Sequence, residues 1–166
     1  MSQFDIFERF SEISRRVLDT SQDIARSMNS GIESPHLLFA LTVTPGSLAY
    51  DILHQHMISV DQIRLALQME EFRSRTKRGM SEELRKVLEI AYIKAADFNH
   101  FTVESEHLLL SLVTDKHCLA YKVIEQIGSN PGVIRTQIET LFDELSYVDD
   151  LVPLPQGDDH LHDKDE

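Results

Sequence analysis

The sequence predicts an all-α fold built of two tandem four-helix repeats. Three observations carry this: an internal repeat, apolar residues at the helical period in both copies, and a shortage of chain breakers. "SPHLLFALTVTPGSLAYDIL" (Ser34 to Leu53) lies over "SEHLLLSLVTDKHCLAYKVI" (Ser105 to Ile124) without a gap, so that Ser, His, Leu-Leu, Leu and Leu-Ala-Tyr coincide at a shift of 71. The same shift pairs Ile63-Arg64 with Ile134-Arg135. Upstream the shift is 70, and Ser11, Arg15, Val17-Leu18, Ala25 and Asn29 match Ser81, Arg85, Val87-Leu88, Ala95 and Asn99. Six glycines and five prolines among 166 residues fall well below the roughly 12% of average usage, which favours helices over a turn-rich sheet.

The first helix of each copy is predicted over Ser11 to about Asn29 and Ser81 to about Asn99. Ile13, Val17, Ile24 and Met28 form one apolar stripe, and Leu84, Val87, Leu88, Ala91, Ala95 and Phe98 form the other. Ser34 reads as the N-cap of the second helix, with Pro35 at the first helical position, where a missing N–H costs nothing. Ser105 is expected to cap the matching helix. Third helices are predicted over about Ser47 to His56 and His117 to Ile127, and fourth helices over about Val60 to Phe72 and Pro131 to Leu145. A four-helix unit of about 65 residues buries too little surface to stand alone comfortably. The two copies are therefore expected to share one core about a pseudo-twofold, and any binding groove to occur twice.

Residues 1–148 thus read as the double repeat: repeat one about 6–72, a linker 73–79, and repeat two about 80–146. The linker carries Arg73, Arg75, Lys77 and Arg78 and reads as a solvated connector, with docking of an acidic partner as the alternative. Residues 149–166 are acidic and contain two prolines and no helical stripe, a composition expected to be disordered.

Composition narrows the function. Sixteen basic against twenty-eight acidic residues give a formal charge of -12, which repels nucleic acid and anionic lipid surfaces. No apolar run near the start has the length of a signal peptide or membrane span, so a cytoplasmic location is expected. Cys118 is the sole cysteine; it is expected to be a buried apolar residue, and no disulfide or thiolate metal cage can form within the chain. His160 and His162 make at most a weak metal site, and no metal or other cofactor is expected. There is no Gly-rich phosphate loop followed by Lys and Ser or Thr, no zinc-hydrolase spacing and no nucleophile elbow. His54 and His56 read as surface residues. The expected function is non-catalytic.

What remains chemically is a set of helix N-termini near Ser11, Ser34, Ser81 and Ser105, whose unpaired N–H groups can hold an anion. Glu106 sits just inside its helix, where a carboxylate favours the dipole and can also receive a guanidinium or ammonium group. Its counterpart in the first copy is Pro35, which can do neither. His36 and His107 recur beside "LL" and are expected to hydrogen-bond at the helix start. Tyr50 and Tyr121, in the shared "LAY", are expected in the core.

"FERFSEISRRVL", "SPHLLFAL", "SEHLLLSLV" and the repeated "LAY" together resemble the N-terminal domain of Clp chaperones, over residues 6–145. That family pattern is a doubled four-helix repeat, with Thr where this chain has Ser11, Ser81, Ser34 and Ser105. The resemblance implies a protein-docking module that receives adaptors and substrates ahead of the ATPase rings. Here it implies a stand-alone accessory that modulates Clp proteolysis by binding Clp subunits, adaptors or clients, and it leaves the oligomeric state open, a monomer among the options. The alternative is a sequestering or sensing protein that binds marked peptides or a small molecule without contacting the rings. In ClpC-type domains the capped helix and the motif Glu form pockets for phosphoarginine. Carried over residue by residue, Ser81 and Glu106 retain that pair, although Glu82 and Glu83 in the first turn behind Ser81 oppose a phosphate.

Overall fold

The computed structural model describes residues 3–151. A short helix α1 (Gln3–Glu8) precedes the first repeat, which consists of α2 (Glu12–Ser27), α3 (Ser34–Thr42), α4 (Leu48–Gln55) and α5 (Val60–Leu67), closed by a 3-10 turn at Glu70–Phe72. The second repeat consists of α6 (Glu82–Asp97), α7 (Ser105–Leu112), α8 (Leu119–Gln126) and α9 (Pro131–Leu151). The eight repeat helices match the sequence prediction in number and order; α1 is additional. Helix α9 continues through Leu151, past the expected start of the tail at 149. The rest of that tail, His160 and His162 included, lies outside the described residues.

Helices α3 and α7 form the centre. Every residue of α3 is buried, as is α7 apart from the half-buried Glu106. Both are apolar almost all round, the pattern of a helix surrounded by protein rather than laid on a surface. Leu37, Leu38 and Leu41 from α3 join Leu108, Leu109 and Leu110 from α7 in one core, to which α2, α4, α5, α6, α8 and α9 each contribute their apolar stripe. Cys118 is fully buried there, and burial pushes its thiol up to about 11, with the Glu83 carboxylate adding to the effect. Tyr121 packs half-buried on the core. Tyr50 departs from the expectation: its half-buried ring stacks on His54, centroids 4.1 Å apart.

The repeats interlock through their lead-in segments. Two isolated parallel bridges, Phe10 with Val103 and Ile32 with Met80, join the residues before the first helix of each repeat to those before the second helix of the other. Ser11 N–H donates to the Val103 carbonyl at 3.1 Å, and Ser81 N–H to the Ile32 carbonyl at 3.0 Å. Neither lead-in would have a partner in a single repeat, which makes the doubling a requirement of the backbone's hydrogen bonding as well as of core size.

Helix ends carry the same symmetry. Asn29 and Asn99 both take positive φ, at 55° and 62°, where α2 and α6 stop; Asn tolerates this left-handed conformation better than most residues. After α4 the same turn falls on Met57 at φ 61°, and after α8 on Gly128 at φ 93°.

Candidate functional site

Six helix N-termini gather into two groups of three. One group comprises α3, α6 and α8, the other α2, α4 and α7. Ser81 caps α6 by accepting from Leu84 N–H at 3.1 Å, and Ser11 caps α2 by accepting from Ser14 N–H at 3.1 Å. Ser34 and Ser105 do not cap their own helices, contrary to the sequence expectation. The N-cap positions belong to Glu33 and Glu104, one residue earlier. Ser34 Oγ instead accepts from Ala120 N–H at 3.0 Å, and Ser105 Oγ from Ala49 N–H at 3.1 Å. Each serine thus satisfies an orphan donor at the start of the third helix of the opposite repeat, and each such buried bond stabilises by about 1 kcal/mol. Pro35 accordingly stands second in α3, still inside the turn where no N–H is required.

His36 and His107 hold the helix starts from within. His36 Nδ1 accepts from Glu33 N–H at 2.9 Å, and His107 Nδ1 from Glu104 N–H at 2.8 Å. His107 Nε2 then lies 2.7 Å from His100 Nδ1, and both rings pack on Phe142. Burial lowers the pKa of His36 below the usual range; burial and the neighbouring His100 bring His107 down to about 4. Both rings are therefore neutral at pH 7, which their acceptor role requires.

The two groups differ in their carboxylates. In the α3–α6–α8 group, Glu83 turns inward and accepts from Ser34 N–H at 3.4 Å through one oxygen and from Leu119 N–H through the other. The chain thereby fills its own anion position. At a shift of 70 the counterpart of Glu83 is Ile13, so the α2–α4–α7 group has no such carboxylate. That group has Glu106 instead, whose Oε1 receives only the Ser105 hydroxyl at 3.3 Å among side chains. Burial raises the Glu106 pKa, and Glu104 nearby adds to it. Among the described residues no cation pairs with Glu106.

The lead-in bridges decide which sequence-predicted residues meet. Ser11 belongs to the end that holds Ser105 and Glu106, whereas Ser81 belongs to the end that holds Ser34 and Pro35. Ser81 and Glu106, paired on the family pattern, therefore belong to different groups.

The linker, expected as a solvated connector, has a fastened backbone. Glu33, 5% exposed, accepts through Oε2 from Arg75 N–H and Thr76 N–H at 3.2 Å each and from the Thr76 hydroxyl at 2.8 Å. Gly31 N–H donates to the Thr76 carbonyl at 2.8 Å, and a Cβ on Gly31 would fall 2.6 Å from Thr76 Cγ2 and 2.7 Å from the Gly79 carbonyl oxygen. Only glycine permits that approach. The side chains of Arg73, Arg75, Lys77 and Arg78 remain exposed.

Grooves open on both sides of this strip. One, about 600 Å³, lies between the linker and α8 and includes Phe72, Arg75, Leu119, Lys122 and Glu125. The other, about 420 Å³, lies between the linker and the start of α3 and includes Pro35, His36, Leu67, Phe72 and Lys77. Both border Glu33 and Arg73. They are not related by the pseudo-twofold, and neither is lined by Ser11, Ser81 or Glu106. Among the described residues no group of three or more His, Cys, Asp or Glu is placed to hold a metal ion, and no helix is long and apolar enough to cross a membrane.

Glu33 and Glu104 were missed by sequence reasoning, which placed Glu83 in the first turn behind Ser81 as a charge opposing phosphate but not as the acceptor of two helix starts. Glu33 and Glu104 stand 71 apart, immediately before the aligned segments, so the repeat could have marked them. Glu83 has no acidic counterpart in the first copy, and its partners Ser34 and Leu119 lie 49 and 36 residues away.

A doubled, interlocked helical repeat with grooves beside its inter-repeat strip defines the class of fold to which the chain belongs. The model of the Clp repeat (R) N-terminal domain matches residues 9–80 and 79–158, and the chain belongs to that family. It is 28% identical over 150 residues to the chloroplastic chaperone protein ClpC2 of Arabidopsis thaliana, an alignment covering 86% of this chain and 16% of that protein. It is 27% identical over 148 residues to the ClpC2 of Oryza sativa subsp. japonica, covering 85% and 16%. The chain thus spans about a sixth of the length of these relatives. Among solved structures, the N-terminal domain of the chaperone ClpD from Arabidopsis thaliana superposes with a TM-score of 0.67 at 25% identity, covering 81% of this chain and 97% of that one. A ClpV N-domain, solved in complex with a VipB peptide, shares the fold with a TM-score of 0.67 at 17% identity, covering 86% and 92%.

Proposed function

We propose that this chain is a non-catalytic docking module that binds partner proteins of a Clp system, whether ATPase or protease subunits, adaptors or clients, and thereby modulates ATP-dependent proteolysis in the cytoplasm. The observation that carries the reading is the pair of grooves beside the fastened linker. Their walls combine apolar floor (Phe72, Leu67, Leu119) with fixed charge (Arg75, Lys77, Lys122), the mixture that recognises an extended polypeptide. The Clp N-terminal family supports it, and the ClpV domain with its VipB peptide is a relative by fold with a peptide bound. Immobilised protein exposed to native lysate of the source cells should retain Clp ATPase or protease subunits, detected by antibody, and Arg75→Glu/Lys122→Glu should lose them. Retention of clients without any Clp subunit would reject the modulatory role.

A second reading rests on Glu106. A partly desolvated carboxylate with no cation partner, grouped with the Ser11-capped helix end, suits a guanidinium-bearing ligand such as phosphoarginine. Under this reading the chain sequesters or senses marked peptides. Ser81 contributes only at the other helix group, where Glu83 already stands in the anion position. Titration calorimetry with a phosphoarginine peptide should then show Glu106→Ala weakening binding by about 1.5 to 3 kcal/mol, with Pro35→Ala unchanged. Equal affinities for Glu106→Ala and the parent chain would retire the site.

A further inference from the structure

The two buried imidazoles are held alike and finished differently. In each copy Nδ1 accepts from a glutamate N–H, Glu33 for His36 and Glu104 for His107, so the proton of the neutral ring sits on Nε2. His107 donates that proton to His100 Nδ1 at 2.7 Å. His36 is only 3% exposed, yet its Nε2–H has no acceptor among the described residues.

A single replaced side chain accounts for the difference. Asn29 and Asn99 correspond at the shift of 70, so the residue after them is His100 in the second copy and Ser30 in the first. Ser30 turns instead to the Gly31 carbonyl and to Ser74 Oγ. Both Ser30 and His36 line the smaller groove, whose volume of about 420 Å³ falls within the roughly 300 to 1,000 Å³ of small-molecule sites. Phe72, 5% exposed, and Leu67 give this groove apolar walls. The Ser74 and Thr76 hydroxyls are engaged with the Thr76 carbonyl and the Glu33 carboxylate. His36 Nε2–H is therefore a donor left over at the wall of a cavity. The Glu33 carboxylate beside it opposes an anion, and the N–H itself opposes a cationic ring.

We propose that the smaller groove binds a neutral heteroaromatic ring whose in-plane nitrogen accepts from His36 Nε2–H. The ring takes the place that His100 fills in the second copy, where His100 packs edge-on against Phe142. In the first copy Phe72 and Leu67 supply the apolar contact. Ring binding here does not depend on the docking role proposed above, and its failure would leave the retention of Clp subunits untouched.

Pyridine and benzene, alike but for the nitrogen lone pair, are titrated into the full chain and followed by the ring nitrogen and proton signals of His36. Pyridine should move the Nε2–H signal downfield and saturate, and benzene should bind about tenfold more weakly, the worth of one hydrogen bond. Ser30→His, its fold checked by circular dichroism, should abolish pyridine binding and show an exchange-protected Nε2–H on His36 without ligand. His36→Asn keeps an acceptor at the δ1 position but lacks Nε2; it should weaken pyridine about tenfold, and it carries the test if Ser30→His does not fold. A capped histidine titrated at about pH 8.5, where imidazole is neutral, identifies the source of the ring. Binding of both probes supports the site and gives it to a polypeptide side chain; binding of pyridine alone supports it and gives it to a free small molecule. No saturable change at His36 with either probe would overturn the proposal. Equal affinity for benzene, or unchanged pyridine affinity in folded Ser30→His, would do the same.

Discussion

The two helix-end groups start from the same scaffold and reach opposite electrostatic states. At the α3–α6–α8 end the Glu83 carboxylate accepts from two helix starts at once, and the anion position is internally satisfied. At the α2–α4–α7 end Ile13 replaces it, and the partly buried Glu106 carries a charge that nothing in the described structure neutralises. A duplicated backbone therefore does not guarantee duplicated chemistry: one substituted side chain per copy separates an end whose helix starts share an inward carboxylate from an end that lacks it.

The largest expected effect separates the two repeats by pH. His107 is held at about 4, against an ordinary value of 6.5, so the unfolded chain takes up a proton as pH falls below about 6.5 while the folded chain does not. Stability is full above that pH and is lost down to about pH 4, by on the order of 3 kcal/mol for this group. Urea midpoints across that range should show the loss, and His107→Gln should flatten it more than His36→Gln. Equal flattening by both variants would erase the distinction, since His100 lies beside His107 alone.

Next comes Glu83→Ala, which strips the acceptor from Ser34 N–H and Leu119 N–H and should cost about 2 kcal/mol in urea unfolding. A loss under about 0.5 kcal/mol would mean that water serves those donors equally well, and the two ends would then differ in composition only.

Ser34→Ala and Ser105→Ala should each cost about 1 kcal/mol, equally, because each removes the same bond across the repeat boundary. Unequal costs would show that the symmetry is geometric but not energetic.

The smallest effect has the opposite sign. Burial raises the Glu106 pKa, so its ionisation opposes folding at neutral pH. The sign follows: a carboxyl whose folded pKa is raised loses stability as pH rises through that value. Glu106→Gln should therefore raise the melting temperature slightly at pH 7 and leave it unchanged in acid. A fall at pH 7 would place Glu106 among the structural carboxylates with Glu83.

The repeat and the eight helices were legible because local periodicity and self-similarity are properties of the chain alone. The Ser11 and Ser81 caps were legible for the same reason. Ser34 and Ser105 were misread as local caps, since a serine before a helix has a local use by default and nothing in the chain announces a donor 86 or 56 residues away. The fastening of the linker by Glu33 was hidden likewise, as its partners lie more than forty residues on. Ser81 and Glu106 belong to different groups because both sit in repeat two, while the lead-in bridges connect each first helix to the second helix of the other copy.

By itself the sequence determined the elements, their doubling and the family, because helix formation and burial depend on spacing within a few turns. Only the tertiary structure decided which helix starts converge, which carboxylate fills a site and which stays unpaired, and where the grooves open. Those outcomes depend on hydrogen bonds and charges meeting across the repeat boundary, at separations that no local pattern encodes.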